Sequence, residues 1–155
     1  MTPRLNPWEI APQMMQSFAD FSARLAAEGL EPSLQELVKI RASQINGCAY
    51  CLHMHSREAL KMGESEVRLT MLAAWHESPL FTARERAALA WTESLTRLAE
   101  THAPDEDYTE LGFEFSPEEQ VKLTMLIGII NAWNRFGAGF RAVHAGHAPS
   151  VAKAA

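Results

Sequence analysis

The stretch Ser116-Pro117-Glu118-Glu119, followed by VKLTMLIGIINAWNRF, restricts the fold more than any other part of the chain. A serine able to cap, a proline at the first helical position and a glutamate at the third spell a helix start. The MLIGII run is apolar on every side of a helix, so the helix is expected to be buried on every side. A buried strand is the rival reading of an apolar run, but the cap and the length favour a helix. Such a helix needs other helices around it. Gly137 and Gly139 are expected to end it, leaving 141–155 as a frayed tail.

The remaining chain supplies those helices. Asn6-Pro7-Trp8-Glu9 reads as a cap and a short first turn. Pro12 opens a second helix, carrying Met14, Met15, Phe18, Phe21 and Leu25 as a core stripe, with Gly29 as its stop. Ser33-Leu34-Gln35-Glu36 has the spacing of a capping box ahead of Leu37, Val38, Ile40 and Ile45. In that reading Gln at position 36 would cap as well as Glu. After Asn46-Gly47 a further helix spans Cys48 to Met62, and another spans Ser65 to Glu77, where His76 is a favourable helix-end charge. Thr82-Ala83-Arg84-Glu85 is a second capping box, opening a helix that runs to Leu98. The acidic segment 101–115 is expected to be a solvated connection with a short helical turn near Asp105–Leu111, and His102 has no partner pattern. Alternating strand patterns are lacking. The expectation is one all-α domain over 1–155, its core about 6–140, with about six or seven helices.

Composition removes several classes of function. The formal net charge is −5 and basic residues occur singly, which argues against nucleic-acid binding. No apolar run approaches a membrane span, and the N-terminus has no signal-like apolar region. Two cysteines three apart cannot form a secreted disulfide framework, so the expected compartment is the reducing cytoplasm.

Chemistry concentrates in residues 36–63, which hold both cysteines, Cys48 and Cys51. On a helix, Cys48, Cys51, Leu52, His55, Ala59 and Met62 share one face, while Tyr50, His53, Arg57 and Lys61 share the other. A thiol in a first turn meets unpaired N–H groups and the positive helix end, which favour thiolate. His55, one turn beyond Cys51, is placed to accept its proton, making Cys51 the expected nucleophile. Two thiols at this spacing can also close into a disulfide. Zinc is the competing reading, with Cys48, Cys51 and His55 as ligands and His53 or a distant histidine as the fourth. Against it, His53 faces away from Cys51. Asn131, Asn134 and Arg135 read as helix capping and a subunit salt bridge.

Glu36, Cys48, Cys51 and His55 form the pattern E-x11-C-x-x-C-x3-H, with LVKIRASQINGCAYC and NAWNRF around it. This resembles the alkyl hydroperoxidase D-like (AhpD-like) branch of the carboxymuconolactone decarboxylase superfamily, over roughly 6–140. The resemblance implies an AhpD-like helical fold and a thiol-dependent peroxidase. Cys51 would attack a small hydroperoxide, Cys48 would resolve it, and Glu36 and His55 would relay protons. It implies no bound cofactor, an external dithiol or protein electron donor, and a homo-oligomer, trimer or hexamer. Tyr50 stands where alkyl hydroperoxidase D has a second relay histidine. A non-enzymatic redox sensor or binding module, switched by the disulfide, is the alternative. A decarboxylase-type lyase is weaker, because that branch lacks the cysteine pair.

Overall fold

A computed structural model describes residues 2–28 and 30–144. Among them are nine α-helices and no strand: α1 (Pro7–Ile10), α2 (Pro12–Ala27), α3 (Pro32–Asn46), α4 (Ala49–Lys61), α5 (Glu66–Met71), α6 (Ala83–Thr96), α7 (Leu98–Thr101), α8 (Asp105–Glu114) and α9 (Pro117–Phe140). The all-α expectation holds. The predicted stop at Gly29 and most of the expected tail, 145–155, lie outside the described residues.

α3 is the middle of the structure, packing against α4, α6 and α9. Its Leu34 and Val38 enter one apolar cluster with Trp91 of α6 and Leu123 and Ile127 of α9. Its Leu37 and Ile40 enter a second, with Ala59 of α4, Leu89 of α6, Leu72 and Trp75. A helix buried on two sides needs no strong amphipathic stripe, and burial of its side chains supplies the stability its propensity does not. The starts of three helices are tied by Arg84, which bonds Glu31 at 2.9 Å and Glu119 at 2.6 Å while covering the Phe115 ring.

Several expectations are corrected. The box at Ser33–Glu36 does not form. Pro32 takes the first helical position, with Glu31 at the cap, so α3 starts earlier and Glu36 lies in its second turn, turned inward. The boxes at Thr82–Glu85 and Ser116–Glu119 do form. The segment 65–77 is not one helix: α5 stops at Met71 and a 3₁₀ turn, Leu72–Ala74, follows. Arg86 donates to the carbonyls of Trp75, His76 and Ser78 beyond that turn. His76 stacks on Trp75, with ring centroids 3.7 Å apart. The helix opened at Thr82 ends at Thr96, and Leu98 begins α7. Residues 105–114 form a helix rather than a solvated connection, because Leu111 is fully buried against the α3–α9 cluster. α9 is not buried all round: Val121, Met125 and Gly128 face out. It also runs through both glycines to Phe140, where Arg141 adopts the left-handed cap.

No helix among the described residues is long and apolar enough to cross a membrane. If α8 is part of the core, Leu111→Ala should cost about 2–5 kcal/mol in urea unfolding, against near neutrality for a solvated linker.

Candidate functional site

The site begins with a turn. α3 ends at Gly47, whose φ of 65° is left-handed and whose N–H returns to the carbonyls of Ser43 and Gln44. Cys48 follows as the cap of α4. Its Sγ accepts the N–H of Cys51 at 3.4 Å, the place where a serine or aspartate oxygen would ordinarily sit. Both cysteines are free and buried, 1% and 2% exposed. The reading of α4 as a helix led by its thiols holds, although Met62, assigned to the inner face, is exposed.

The surroundings of the two sulfurs favour the thiolate at Cys48 over that at Cys51. The Cys51 thiol donates to Cys48, which together with the N–H groups of Cys51 and Tyr50 and the Asn134 carboxamide overcomes burial and brings Cys48 down to about 6. Cys51 is pushed up, first by its hydrogen bond to Cys48 and then by burial. The backbone at the helix start favours the thiolate at both sulfurs, but at Cys51 the bond to Cys48 and burial outweigh it. What distinguishes Cys51 is access. It lines a cavity of about 850 Å³ that Cys48 does not reach. The cavity is walled by Tyr50, Met54 and His55 of α4, by Ile129, Trp133 and Phe136 of α9, by Met15 and Ala19 of α2, and by the N-terminal segment around Pro3–Trp8.

His55 lines the same cavity, and Glu36 is bonded to it. Glu36 is 5% exposed, and its Oε2 lies 2.8 Å from His55 Nδ1 while its Oε1 accepts from Lys39 Nζ at 2.6 Å. Burial alone would raise its pKa, but the hydrogen bonds and charges of His55 and Lys39 outweigh that and hold it below the ordinary 4.5. The Glu36 carboxylate accepts a hydrogen bond from the Nδ1–H of His55. No hydrogen bond joins His55 to either sulfur among the described residues, so the carboxylate–imidazole pair and the thiol pair meet only across the cavity wall. Nor do three or more His, Cys, Asp or Glu side chains converge there as metal ligands would. His53, the possible fourth zinc ligand, stacks instead on His144, with centroids 4.7 Å apart.

Sequence reasoning missed the wall formed by α9. Asn131 and Asn134 are buried in mid-helix and cap nothing, and Arg135 bonds the Asn131 carbonyl within the same helix. Gly137 is no helix stop: a Cβ built there would lie 2.7 Å from Cys48 Sγ and 3.5 Å from Cys51 Sγ. The available signal was two asparagines set on the stripe of Ile127 and Ile130, since buried carboxamides need partners.

Two consequences can be measured. Gly137→Ala should be destabilising in urea unfolding, because overpacking at about 1–3 kcal/mol exceeds the roughly 1 kcal/mol gain in helix propensity; a more stable variant would mean the sulfurs have room to move. Glu36 is depressed in the folded state, so its contribution to stability is full above pH 4.5 and is lost as pH falls through the folded value. The non-titrating variant Glu36→Gln should therefore start less stable than the wild type and lose less stability between about pH 6 and pH 3. Parallel pH curves for the two proteins would contradict the depressed value. The near-neutral cost expected of a cap residue no longer applies, since Gln would leave Lys39 without its charge partner.

Comparison with known proteins agrees with this architecture. The family profile "Carboxymuconolactone decarboxylase family" matches residues 12–94, which include Glu36, Cys48, Cys51 and His55. The uncharacterized protein YdfG of Bacillus subtilis is 38% identical, over 87% of this chain and 92% of its own. The crystal structure of ATU0492 from Agrobacterium tumefaciens, a protein of unknown function with a suggested AhpD antioxidant-defence role, is 41% identical. It superposes with a TM-score of 0.91, over 93% of this chain and 99% of its own. The debrominase Bmp8, in complex with 2,3,4-tribromopyrrole, shares the fold at a TM-score of 0.77 and 20% identity, over 89% of this chain and 74% of its own. By profile, by sequence and by an AhpD-like fold, this chain belongs to the carboxymuconolactone decarboxylase family.

Proposed function

We propose that the protein is a thiol-dependent peroxidase that reduces hydroperoxides at Cys51 and closes a Cys48–Cys51 disulfide. The observation that carries this reading is a buried thiol pair with one sulfur on the wall of an apolar cavity beside His55, itself bonded to Glu36. The antioxidant-defence role suggested for ATU0492 is in keeping with it.

The steps balance as follows. The Cys51 proton crosses the shared hydrogen bond to Cys48, leaving a thiolate at the cavity. That sulfur attacks the outer peroxide oxygen: the S–O bond forms, the O–O bond breaks, and the departing alkoxide takes a proton from His55 to leave as an alcohol. Glu36 stabilises the His55 imidazolium that supplies this proton, which comes from solvent. The Cys48 thiol then displaces hydroxide from the Cys51 sulfenic acid, its proton leaving with the hydroxide as water, and the disulfide closes. The chain has no other cysteine, so a separate dithiol molecule must reduce the disulfide.

Steady-state turnover of hydrogen peroxide and an organic hydroperoxide, with several dithiol donors, tests the reading. Cys51→Ser should abolish turnover, and Glu36→Gln should lower it roughly a hundredfold or more. Full activity in Glu36→Gln removes the relay. A disulfide that forms once, with no turnover under any donor, favours a redox sensor instead.

A further inference from the structure

Cys51 lines the cavity and is still only 2% exposed, so a molecule of any bulk reaches its sulfur only if a wall moves. Three of the walls are helices tied into the body of the fold. α4 and α9 both pack on α3, and α2 packs on α9. The fourth is the N-terminal segment, of which Pro3, Arg4, Leu5, Asn6, Pro7 and Trp8 all line the cavity. None of these six is buried, and α1 has no buried residue at all. α1 packs chiefly on α2, its neighbour in the chain. A segment with so few buried groups is the wall that opens at least cost.

Two contacts hold that segment down, and both are on α9. A helix leaves its last carbonyls without partners inside the helix. At the end of α9 the N–H groups of Arg141 and Ala142 take the carbonyls of Ala138 and Gly137. The next two carbonyls go to one residue of the N-terminal segment. The Arg4 N–H donates to the Phe140 carbonyl at 3.0 Å, and Arg4 Nη1 donates to the Gly139 carbonyl at 3.0 Å. Four residues on, the Trp8 indole stacks on Trp133, with ring centroids 6.4 Å apart and planes 14° from parallel. The segment then joins α2 through a single residue. Ala11 caps both α1 and α2, and Pro12 has no N–H with which to bond back. Among the described residues no backbone hydrogen bond crosses this joint.

We propose that residues 3–8 are a lid on the thiol cavity, turning at Ala11 and latched on α9 by Arg4 and Trp8, whose opening gates the approach of bulky apolar molecules to Cys51. The inner face of the lid suits such a molecule. Pro3, Leu5 and Trp8 share the lining with Trp133, Phe136 and Phe140, and among the described residues no Asp or Glu lines it. A volume of about 850 Å³ lies in the range of sites that enclose an organic ligand, far more than hydrogen peroxide would fill. Under the peroxidase reading, on which this choice of substrate rests, the lid admits an organic hydroperoxide and closes over it, keeping water from the reacting sulfur. Arg4 bonds the end of α9 and neither sulfur, so replacing it loosens the latch and leaves the thiol contacts in place.

The test is the labelling of Cys51 in the reduced full chain by pyrene maleimide, bulky and apolar, and by iodoacetamide, which needs little opening. Peptide mapping identifies the labelled cysteine, and thermal unfolding is the fold control. The quantity read is the ratio of the bulky to the small reagent's rate, in which a change in thiolate fraction cancels. Arg4→Ala should raise that ratio about fivefold, the gain in open population expected from one lost hydrogen bond. Arg4→Lys keeps a donor for the Gly139 carbonyl and should stay near the wild type. An unmoved ratio in folded Arg4→Ala overturns the proposal, and so does an equal rise in Arg4→Lys. If Arg4→Ala fails to fold, Ala11→Gly carries the test: freeing the joint should raise the ratio, and an unmoved ratio overturns the lid. A raised ratio in a protein that turns over no peroxide would uphold the lid and sink only the proposed reaction. Full turnover beside an unmoved ratio would do the reverse.

Discussion

Everything at this site depends on the reversal at Gly47-Cys48. Left-handed backbone at Gly47 lets α3 stop and α4 start with no intervening loop, so the two helices pack as a tight hairpin. That hairpin brings Glu36, near the start of α3, against His55, in the middle of α4. It makes Cys48 a cap, with a sulfur where a first-turn N–H needs an acceptor. It also sets Asn46, the last residue of α3, beside α9. A residue with a Cβ at position 47 would strain that reversal, and each of these contacts would move with it.

The second constraint is that the site carries charge within a helical core. A buried carboxylate is costly unless it is paired and hydrogen-bonded. Glu36 meets that condition twice, through His55 and Lys39. A buried thiolate is a softer anion, but it too needs donors. The N–H groups at the head of α4 and the Asn134 carboxamide both favour it at Cys48. The polar residues of α9 are therefore not blemishes in an apolar helix. Asn131 and Asn134 form a connected set with Ser43, Asn46 and Thr96, and such bonding is what lets polar side chains sit in a core.

The division between the two thiols follows from position. Cys48 has the donors and Cys51 has the cavity. The thiolate is favoured at the capping sulfur, while the sulfur on the cavity wall is held toward the thiol.

Much of this was legible in the sequence, because the signals were local. Proline at a first helical position, serine or threonine three residues before glutamate, and thiols three and an imidazole four residues on along one helix are all relations within a turn or two. Backbone geometry alone settles them. They sufficed for the all-α class, for the true capping boxes at Thr82 and Ser116, and for the grouping of Cys48, Cys51 and His55 on one helix. They misled at Ser33–Glu36, where Pro32 offered a competing start, and at 105–114, where burial of Leu111 holds a helix that its acidic surface hides. What only the tertiary structure decided are the relations across long stretches of chain: Glu36 with His55, Asn134 and Gly137 with the sulfurs, and the cavity between α2, α4 and α9. Helical periodicity says which residues face inward. It does not say which inward faces meet, because that depends on how α9 crosses the α3–α4 hairpin, a distance of more than a hundred ångströms along an extended chain.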